Sequence, residues 1–416
     1  MRTLEGWLEL QQRAHPRSID LGLERAGKVA RSLGLERARV PTFIVGGTNG
    51  KGSTVALLDS MLRDAGIATG AFSSPHLVRY NERIHVGGAP VPDGEIVAAF
   101  EAIERARGAT TLTYFEFSTL AALLVFHERA VGAQVLEVGL GGRRDATNLV
   151  DADVAVLCSV GSDHHEWLGP TLEDIGREKA GIFRRGRPAI IATPAMPASV
   201  FSEIGRIGAG AQVARRAYDW RPRGARWDWW SAGRTLAGLP RPALAGDTQF
   251  GNAAAAIAAL DASVFRVPHE AVAQGLAQVR LPGRFQVVPG EVEWILDVAH
   301  NVPAATELAH NLAARPAQGR TLAVAGFLDD KDVAGIGNAL RGRFDEWFLA
   351  TLPPPRGLEA RQGAARLSPG DVPLATCGSV SEACARARAA ARPGDRVVAF
   401  GSFHVVGPAL EWLGLY

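Results

Sequence analysis

The sequence is poor in cysteine and contains no long apolar run. Its 416 residues include three cysteines, Cys158, Cys377 and Cys384, whose spacing fits neither a metal-ligand pattern nor a disulfide framework. This usage is typical of a reducing compartment, so we expect a cytoplasmic protein. No apolar run approaches the roughly 18 residues that span a bilayer, and the N-terminus lacks the apolar core of a signal peptide. We therefore expect no membrane association.

The sequence also has little net charge. Its 45 Lys and Arg residues stand against 43 Asp and Glu, which leaves a net charge of +2. This balance argues against a broad electrostatic surface for nucleic acid, and we expect no nucleic-acid partner. Hydrophobic residues make up 47% and charged residues 21%, as is ordinary for globular proteins. At about 100–200 residues per domain, the length predicts two or three domains.

Strand-like and helix-like segments alternate along most of the chain. Apolar runs predict strands at 42–47, 133–139 and 153–160. Three- and four-residue spacing of apolar side chains predicts helices at 53–66, 118–130 and 171–186, the last ending at Gly186. Such alternation favours an α/β fold built on parallel sheets with helices on both faces.

The pattern changes in two places. Between about 190 and 245 four tryptophans lie among Arg, Gly and Pro, which predicts a hairpin insertion or domain edge rather than another strand–helix unit. After the turn LPGRF (281–285), four more strand candidates follow at 292–299, 321–328, 346–352 and 395–403. We therefore predict a larger parallel-sheet α/β domain over 1–284 and a smaller Rossmann-like α/β domain over 285–416.

The sequence GGTNGKGST (46–54) joins the first strand of that sheet to its first helix. Glycines let main-chain amides turn toward an anion, the helix N-terminus adds positive potential, and Lys51 can reach terminal phosphates. The common P-loop pattern is not met, because position 45 is Val and Gly52 follows the lysine. ATP binding is the prediction, which makes 1–284 a P-loop-containing parallel-sheet ATPase domain. A glycine turn with a surface lysine is the alternative.

Acidic and histidine residues follow several predicted strands. Glu137 lies near the end of an apolar strand, where a carboxylate needs a metal ion or a salt bridge. Asp163, His164 and His165 follow the next strand and indicate either a site or a surface loop. In the second domain Asp297, His300 and Asn301 end a strand; Asp297 or Asn301 could instead cap a turn. Ligands of open α/β sheets bind at this carboxyl edge.

Three other positions are ambiguous from the sequence. Lys179 lies in a predicted helix, where a lysine is usually a solvated charge. Asp145, in the polar loop GRRDATN, could bind a substrate or form a turn. The stretch TYFEF (113–117) mixes aromatic residues with Glu116, a pattern more often found in core packing than in a ring-binding pocket.

Ten stretches occur in the order of a known family: HPRSIDLGLERA, GGTNGKGST, SSPHLVRYNERI, LTYFEF, LEVGLGGRRDATN, DHHEWLG, REKAGIF, LPGRF, LDVAHN and GSFH. In this order they resemble the folylpolyglutamate synthase/dihydrofolate synthase family, within the Mur ligase group of ATP-dependent amide-forming enzymes. LTYFE with RDATN is most similar to the bacterial bifunctional type. The resemblance implies a monomer with ATP as co-substrate and two Mg²⁺ ions.

The resemblance also implies roles for single residues. Those implied to bind ATP are Thr48, Asn49, Gly50, Lys51, Gly52, Ser53, Asn252, Arg284 and Asp297. Those implied to bind Mg²⁺ are Ser74, Glu137 and His164. Those implied to bind the dihydropterin are Ile19, Asp20, Leu21, Thr113, Tyr114, Phe115, Glu116, Arg144, Asp145 and Ala146. Lys179 resembles a lysine that is carbamylated in this group, and His300 lies where glutamate would bind. Lys51, Lys179 and His300 are the candidate catalytic residues.

The implied reaction joins L-glutamate to the carboxylate of dihydropteroate, which gives dihydrofolate, and extends folates with further glutamates. ATP would activate each carboxylate as an acyl phosphate, which the glutamate amine attacks. A monofunctional dihydrofolate synthase or folylpolyglutamate synthase is the nearest alternative. A peptidoglycan Mur ligase would place a further domain before Gly46, and only 45 residues precede it. A regulatory NTPase would need no second substrate.

Overall fold

The computed structural model describes residues 2–367 and 372–416. In this part of the chain the helices are α1 Leu4–Arg13, α2 Glu24–Ser32, α3 Lys51–Asp64, α4 Asp93–Arg107, α5 Tyr114–Glu128, α6 His165–Leu168, α7 Leu172–Lys179, α8 Ala198–Ile207, α9 Thr248–Asp261, α10 His269–Gln278, α11 Val302–Ala314, α12 Val333–Ala339, α13 Ala360–Leu367, α14 Val380–Ala390 and α15 Phe403–Trp412. Its strands are β1 Thr42–Gly46, β2 Thr69–Phe72, β3 Ile84–Val86, β4 Ala89–Pro90, β5 Ala133–Glu137, β6 Val154–Leu157, β7 Pro188–Ile191, β8 Gly210–Val213, β9 Tyr218–Arg223, β10 Arg226–Ser231, β11 Thr235–Pro240, β12 Gln286–Val288, β13 Glu293–Asp297, β14 Thr321–Ala325, β15 Glu346–Ala350, β16 Leu374–Cys377 and β17 Arg396–Phe400. Strands and helices alternate, as the sequence predicts.

The contacts divide the chain into two compact units. The first comprises Met1–His76, Tyr80–Ala243 and Gln249–Val279. The second comprises Leu77–Arg79, Leu244–Thr248 and Arg280–Tyr416. Two short segments that precede residue 284 in the chain therefore pack with the second unit.

The main sheet of the first unit has the strand order β4-β3-β2-β5-β1-β6-β7-β8 among the described residues. The strands β2, β5, β1, β6, β7 and β8 run parallel to one another. β3 is antiparallel to β2, and β4 is antiparallel to β3. β1 lies between β5 and β6, and its Phe43, Ile44 and Val45 are buried. A strand covered on both faces is apolar throughout. This central position brings the loop after β1 to the carboxyl edge, between the loops that follow β5 and β6.

Two expectations for the first unit were wrong in detail. Within 190–245, the strand–helix pattern continues through β7, α8 and β8 before the antiparallel sheet β9–β11 begins, with Trp227 and Trp229 buried. The helix expected over 171–186 ends at Lys179 and is followed by a 3-10 turn, Ala180–Ile182. Gly181 in this turn lies so close to Arg143 that a side chain there would clash with it.

The second unit contains a sheet with the order β12-β13-β17-β14-β15-β16 in the described ranges. Its four expected strands are β13, β14, β15 and β17, which are mutually parallel where they pair. β12 is antiparallel to β13, and the short β16 was not expected. Apolar side chains cover both faces, Phe400 and Ile295 on one and Val397 and Leu296 on the other.

No helix within the described ranges is long and apolar enough to cross a lipid bilayer.

Candidate active site

The segment that follows β6 holds the loop after β1 in place through hydrogen bonds. The main-chain amide of Thr48 donates to the carbonyl of Ser159 at 2.9 Å, and that of Asn49 donates to the Ser159 hydroxyl at 2.9 Å. The Thr48 hydroxyl accepts from the Gly161 amide at 2.9 Å. The loop is therefore shaped before any ligand arrives, as anion-binding main-chain loops are.

The loop leads into α3 through a glycine that no other residue can replace without strain. Gly50 has φ 90° and precedes Lys51, the first residue of the helix. A Cβ atom at Gly50 would lie 2.7 Å from Oδ1 of Asn252 on α9. The structure thus brings Asn252, expected to contact the nucleotide, against the loop itself. Gly52 and Ser53 follow in the first turn of α3, and both are buried.

Two lysines point at one carbonyl oxygen of this loop. Lys51 donates to the Gly47 carbonyl at 3.1 Å and to that of Thr48 at 3.2 Å. Lys179, at the end of α7, donates to the same Gly47 carbonyl at 3.0 Å. Two amine groups that share one acceptor create a strongly positive position beside the loop, suited to the phosphates of a nucleotide.

Lys179 is buried rather than solvated, with 5% of its surface exposed. Burial, and to a lesser extent the charge of Lys51, lower the pKa of its amine to about 7, although Asp163 and Asp145 oppose the shift. A substantial fraction of this amine is therefore uncharged near neutral pH. A neutral amine is a nucleophile, whereas an ammonium group is not.

Glu137 ends β5 next to the loop. Its side chain is 4% exposed, and its Oε2 accepts from the main-chain amide of Ser74 at 3.2 Å. Burial raises the pKa of the Cys158 thiol to about 11. The charge of Glu137 contributes in the same direction, and those of Lys51 and Lys179 oppose it. The phosphate loop, both lysines and the carboxylate are thus gathered around the ends of β1, β5 and β6.

His164 follows β6 at the start of α6, with φ 55°. Its Nε2 lies 3.6 Å from the carboxylate of Asp163. Within residues 2–367 and 372–416, no three His, Cys, Asp or Glu side chains form a cluster that could hold a metal ion. Mg²⁺ does not need one, because it usually binds one or two protein ligands together with substrate phosphates and water. A carboxylate such as that of Glu137 is the kind of ligand that Mg²⁺ prefers.

Arg25 of α2 joins two of the stretches expected to bind the pterin. It donates to the carboxylate and the carbonyl of Asp20, both at 2.7 Å, and to Glu116 at 3.2 Å. Ile19 and Leu21 flank Asp20 and are half-buried. The loop 19–21 and the N-terminus of α5 are therefore fixed to each other by one guanidinium group.

The stretch TYFEF forms the start of α5. Thr113 caps the helix by accepting from the Glu116 amide at 3.2 Å, and Glu116 accepts from the Thr113 amide at 2.7 Å. The ring of Phe115 lies against Gly139, and that of Tyr114 packs edge-on against Tyr80. The Thr-x-x-Glu spacing is a capping signature that is visible in the sequence.

Asp145 caps a turn, which was the alternative to substrate binding. It is buried and accepts from the amides of Leu140 and Thr147 and from the Thr147 hydroxyl, at 2.8, 3.0 and 2.6 Å. Burial raises the pKa of this carboxyl group, against these hydrogen bonds. Its neighbour Arg144 is exposed and contacts Glu178 at 3.3 Å, while Ala146 is buried.

In the second unit, Asp297 ends β13 and holds the turn around Phe285. Its two oxygens accept from the amides of Phe285 at 2.8 Å and Ala299 at 2.7 Å. Burial raises the pKa of Asp297 to about 6, although the charge of Arg284 opposes the shift. The guanidinium of Arg284 lies 5.2 Å from the ring centre of Phe403.

His300 and Asn301 complete this edge of the second sheet. Nδ1 of His300 lies 2.8 Å from the carbonyl of Val298, and the Asn301 side chain caps α11 by accepting from the Ala304 amide at 3.0 Å. Asn301 and Asp297 thus have the capping roles that were left open. His300 is half-buried.

Sequence reasoning missed Ser159 and Arg25. Ser159 supports the phosphate loop from 110 positions away in the chain, so no local pattern marks it. Arg25 lies inside the stretch HPRSIDLGLERA, and its place in that motif was the available signal.

Two family models match the chain in the regions where these sites lie. Residues 45–199 match the Mur ligase middle domain, and residues 283–403 match the Mur ligase, glutamate ligase domain. The fold and the phosphate site therefore define a Mur ligase-type enzyme, a class of ATP-dependent ligases that form amide bonds.

Individual relatives narrow this class. The chain is 45% identical to the dihydrofolate synthase/folylpolyglutamate synthase of Escherichia coli over 98% of its own length and 95% of that protein. It is 37% identical to the Haemophilus influenzae protein of the same name, over 97% of its own length and 96% of that protein. The chain belongs to the dihydrofolate synthase/folylpolyglutamate synthase family, as the motif order indicated.

Solved structures agree with this assignment. E. coli FolC in complex with DHPP and ADP has a TM-score of 0.95 and 44% identity and covers 99% of this chain and 98% of its own. A bifunctional folylpolyglutamate synthase/dihydrofolate synthase with Mn, AMPPNP and L-glutamate bound has a TM-score of 0.93 and 42% identity. The match covers 100% of this chain and 99% of that structure's chain.

Proposed function

We propose that this protein joins L-glutamate to the carboxylate of dihydropteroate, giving dihydrofolate, and then extends folates with further glutamates. The γ-phosphate of ATP converts each carboxylate into an acyl phosphate, and the glutamate amine displaces phosphate. The observation that carries the proposal is the convergence of Lys51 and Lys179 on the Gly47 carbonyl. Family membership and the nucleotide and glutamate complexes of relatives support it.

The phosphate loop supplies positioning and charge. Main-chain amides of residues 50–53 at the start of α3 would face the phosphates, and Lys51 would turn from the carbonyls of Gly47 and Thr48 toward the γ-phosphate. Transfer of a phosphoryl group depends largely on such positioning and charge neutralisation. Asn252 would hold the loop and the nucleotide together from α9.

Ser74, Glu137 and His164 are the residues that we propose to hold Mg²⁺, with two ions in the complete site. The buried carboxylate of Glu137 supports this, because a charge removed from water needs a compensating one. Mg²⁺ supplies neutralisation of phosphate charge when it is bound. The Mn ion in complexes of related proteins supports a divalent metal.

Lys179 is proposed to be carbamylated. Its neutral amine would attack the carbon of CO₂, and loss of one proton from nitrogen would leave a carbamate anion. The depressed pKa of Lys179 supports this reaction, since the amine is already deprotonated in a substantial fraction of molecules near pH 7. A carbamate can bridge to a metal ion, which the ammonium form cannot do.

The dihydropterin would bind at residues 19–21, 113–116 and 144–146. The link from Arg25 to Asp20 and Glu116 supports the first two as parts of one surface. In the second unit Arg284 and Asp297 are proposed to contact the nucleotide. His300 is proposed to act where the glutamate binds. The hydrogen bonds of Asp297 to the Phe285 and Ala299 amides would keep Arg284 in place.

The decisive experiment incubates the pure protein with Mg-ATP, L-glutamate and either dihydropteroate or tetrahydrofolate, and identifies products by mass. We expect ADP and a one-glutamate mass increase with both acceptors. A product with only one acceptor would indicate a monofunctional synthase. ADP release that does not depend on glutamate, with no new amide, would contradict the proposal.

We also propose that the protein is a cytoplasmic monomer. Three buried free cysteines agree with a reducing compartment. Sedimentation at micromolar concentration and fractionation of cells test the two statements.

A further inference from the structure

The first unit contains a cavity of about 300 Å³ that none of the roles above uses. We call it the amino-edge pocket and define it by Leu35, Arg37, Arg39, Phe126, His127 and Gln134, which are among its lining residues. Its walls come from the segment before β1, the end of α5 and the start of β5. The phosphate loop lies at the other end of β1, roughly 16 Å away for a five-residue strand.

The floor of the pocket is apolar and fixed. Leu35, Leu123, Phe126, Val131 and Val150 line it and are buried. The ring of Phe126 lies so close to β2 that a Cβ atom at Gly70 would be 2.5 Å from it. Such a rigid floor offers a flat surface to an aromatic or aliphatic body, and the volume is within the range of small-molecule sites.

The rim of the pocket carries cationic groups without partners. Arg37 and Arg39 are exposed and form no ion pair or hydrogen bond with any residue in the described ranges. The ring of His127 likewise has no hydrogen-bond partner among those residues. Two guanidinium groups that are free at the mouth of an apolar cavity favour a carboxylate, sulfonate or phosphate.

A buried acceptor adds an independent observation. Gln134 is 4% exposed, and its Nε2 donates to the Thr42 hydroxyl at 2.8 Å. Its Oε1 makes no hydrogen bond to another described residue. Gln134 lines the pocket, so this amide oxygen can accept a hydrogen bond from a ligand that enters the cavity.

We propose that the amino-edge pocket binds a small organic anion with a flat apolar body and a hydrogen-bond donor. The body would lie on Phe126, the anionic group would meet Arg37 and Arg39, and the donor would reach Oε1 of Gln134. Both α5 and the turn before Val150 carry pterin-site candidates at their other ends, Tyr114 and Ala146. Because the pocket lies at the opposite end of β1 from the phosphate loop, we take its ligand to be a regulatory metabolite rather than a substrate.

The probe for this proposal is 8-anilinonaphthalene-1-sulfonate, which combines two rings, an amine donor and one negative charge. Its neutral analogue N-phenyl-1-naphthylamine has the same rings and donor without the charge. We expect the sulfonate to bind the folded full chain with one-to-one stoichiometry in a fluorescence titration, and more tightly than the neutral analogue. Saturating Mg-ATP and dihydropteroate should leave the bound probe in place.

Three variants locate the binding. The double reversal Arg37→Glu with Arg39→Glu should weaken sulfonate binding roughly tenfold, because two attractive charges at the rim become repulsive. Gln134→Met should weaken both probes, while the Thr42 hydroxyl keeps its bond to the Val40 carbonyl. Arg105→Glu, an equally exposed change on α4, should have no effect. Each variant is first checked for an unchanged melting temperature.

Several results would overturn the proposal. The first two are a sulfonate titration that does not saturate and an equal affinity for the neutral analogue. The others are displacement of the bound sulfonate by Mg-ATP or dihydropteroate, and a loss of affinity in Arg105→Glu as large as that in the double reversal. None of them bears on amide formation, so the proposed function stands or fails separately.

Discussion

Lys51 and Lys179 donate to the same oxygen, the carbonyl of Gly47, at 3.1 and 3.0 Å. They lie 128 positions apart, one at the first residue of α3 and the other at the last residue of α7. Two like charges at one acceptor repel each other, and burial of Lys179 makes its charge costly. The result is one charged lysine suited to phosphate and one amine that readily loses its proton.

Replacement of Lys51 by alanine should remove phosphoryl transfer and leave the fold intact. We expect at least about a 100-fold loss in ADP formation, because a charge that stabilises the transferring group is deleted. Lys28→Ala, at an exposed position of α2, is the matched control and should keep full activity. Turnover at the unchanged rate in Lys51→Ala would rule out the phosphate-loop role.

Replacement of Lys179 by alanine should abolish amide formation, and added bicarbonate should not restore it. In the unchanged protein, depletion of CO₂ should reduce activity and bicarbonate should recover it, if a carbamate forms. Mass spectrometry under non-acidic conditions measures the added carboxyl group. Full activity in Lys179→Ala would exclude any catalytic carbamate.

Lys179 also predicts the pH dependence of stability in metal-free, CO₂-free buffer. Its pKa is about 7 in the folded protein and near 10.5 when unfolded, so between these values the unfolded chain binds more protons. The free energy of unfolding should therefore rise, by a few kcal/mol in total, as pH increases from 7 to 10.5. Chemical denaturation across this range should show a weaker rise in Lys179→Met.

Asp297→Asn should lower the stability of the second unit by about 1–3 kcal/mol, because an amide cannot accept from both the Phe285 and Ala299 amides. Glu359→Gln, at an exposed position, is the control. Since the pKa of Asp297 is raised to about 6, the folded protein binds the extra proton between about pH 4 and 6. This residue's contribution to stability should fall as pH rises through that window.

Gly50→Ala should impair nucleotide binding more than a second glycine substitution of similar backbone strain. Gly50 and Gly66 have φ of 90° and 79°, but only at Gly50 would the new Cβ meet a neighbour, Oδ1 of Asn252. We expect the KM for ATP to rise roughly tenfold or more in Gly50→Ala, because the loop must shift. Gly66→Ala should leave it unchanged; equal effects would mean that the contact with Asn252 is unimportant.

Ala130→Gly should stabilise the first unit by about 1 kcal/mol. Ala130 has φ 48° just after α5, where the amides of Ala130 and Val131 bond back to the carbonyls of His127 and Phe126. Glycine is the usual residue at this helix end, since it has no Cβ to clash. The same change inside a helix, Ala98→Gly on α4, should instead destabilise, and thermal melting compares the two.

The sequence by itself determined the alternation of strands and helices, the phosphate loop and the family. These signals are local, because apolar spacing and glycine position depend on neighbours within a few residues. For the same reason β1, α3 and β5 were predicted close to their observed bounds. The end of α7 and the unit β7–α8–β8 were not, since the strands β7 and β8 have only four residues each and the helical pattern of α7 continues past Lys179 in the sequence.

Only the tertiary structure decided what the polar residues do. The sequence left open whether Lys179 is a solvated charge or a site residue. The structure buries it, with its acceptor in a loop 132 positions away. The sequence could not show that Asp145, Asp297 and Asn301 each accept hydrogen bonds from main-chain amides, because their partners are set by the folded loops. A side chain's charge state follows from burial and from neighbours that the chain brings together only on folding, so no sequence pattern could fix it.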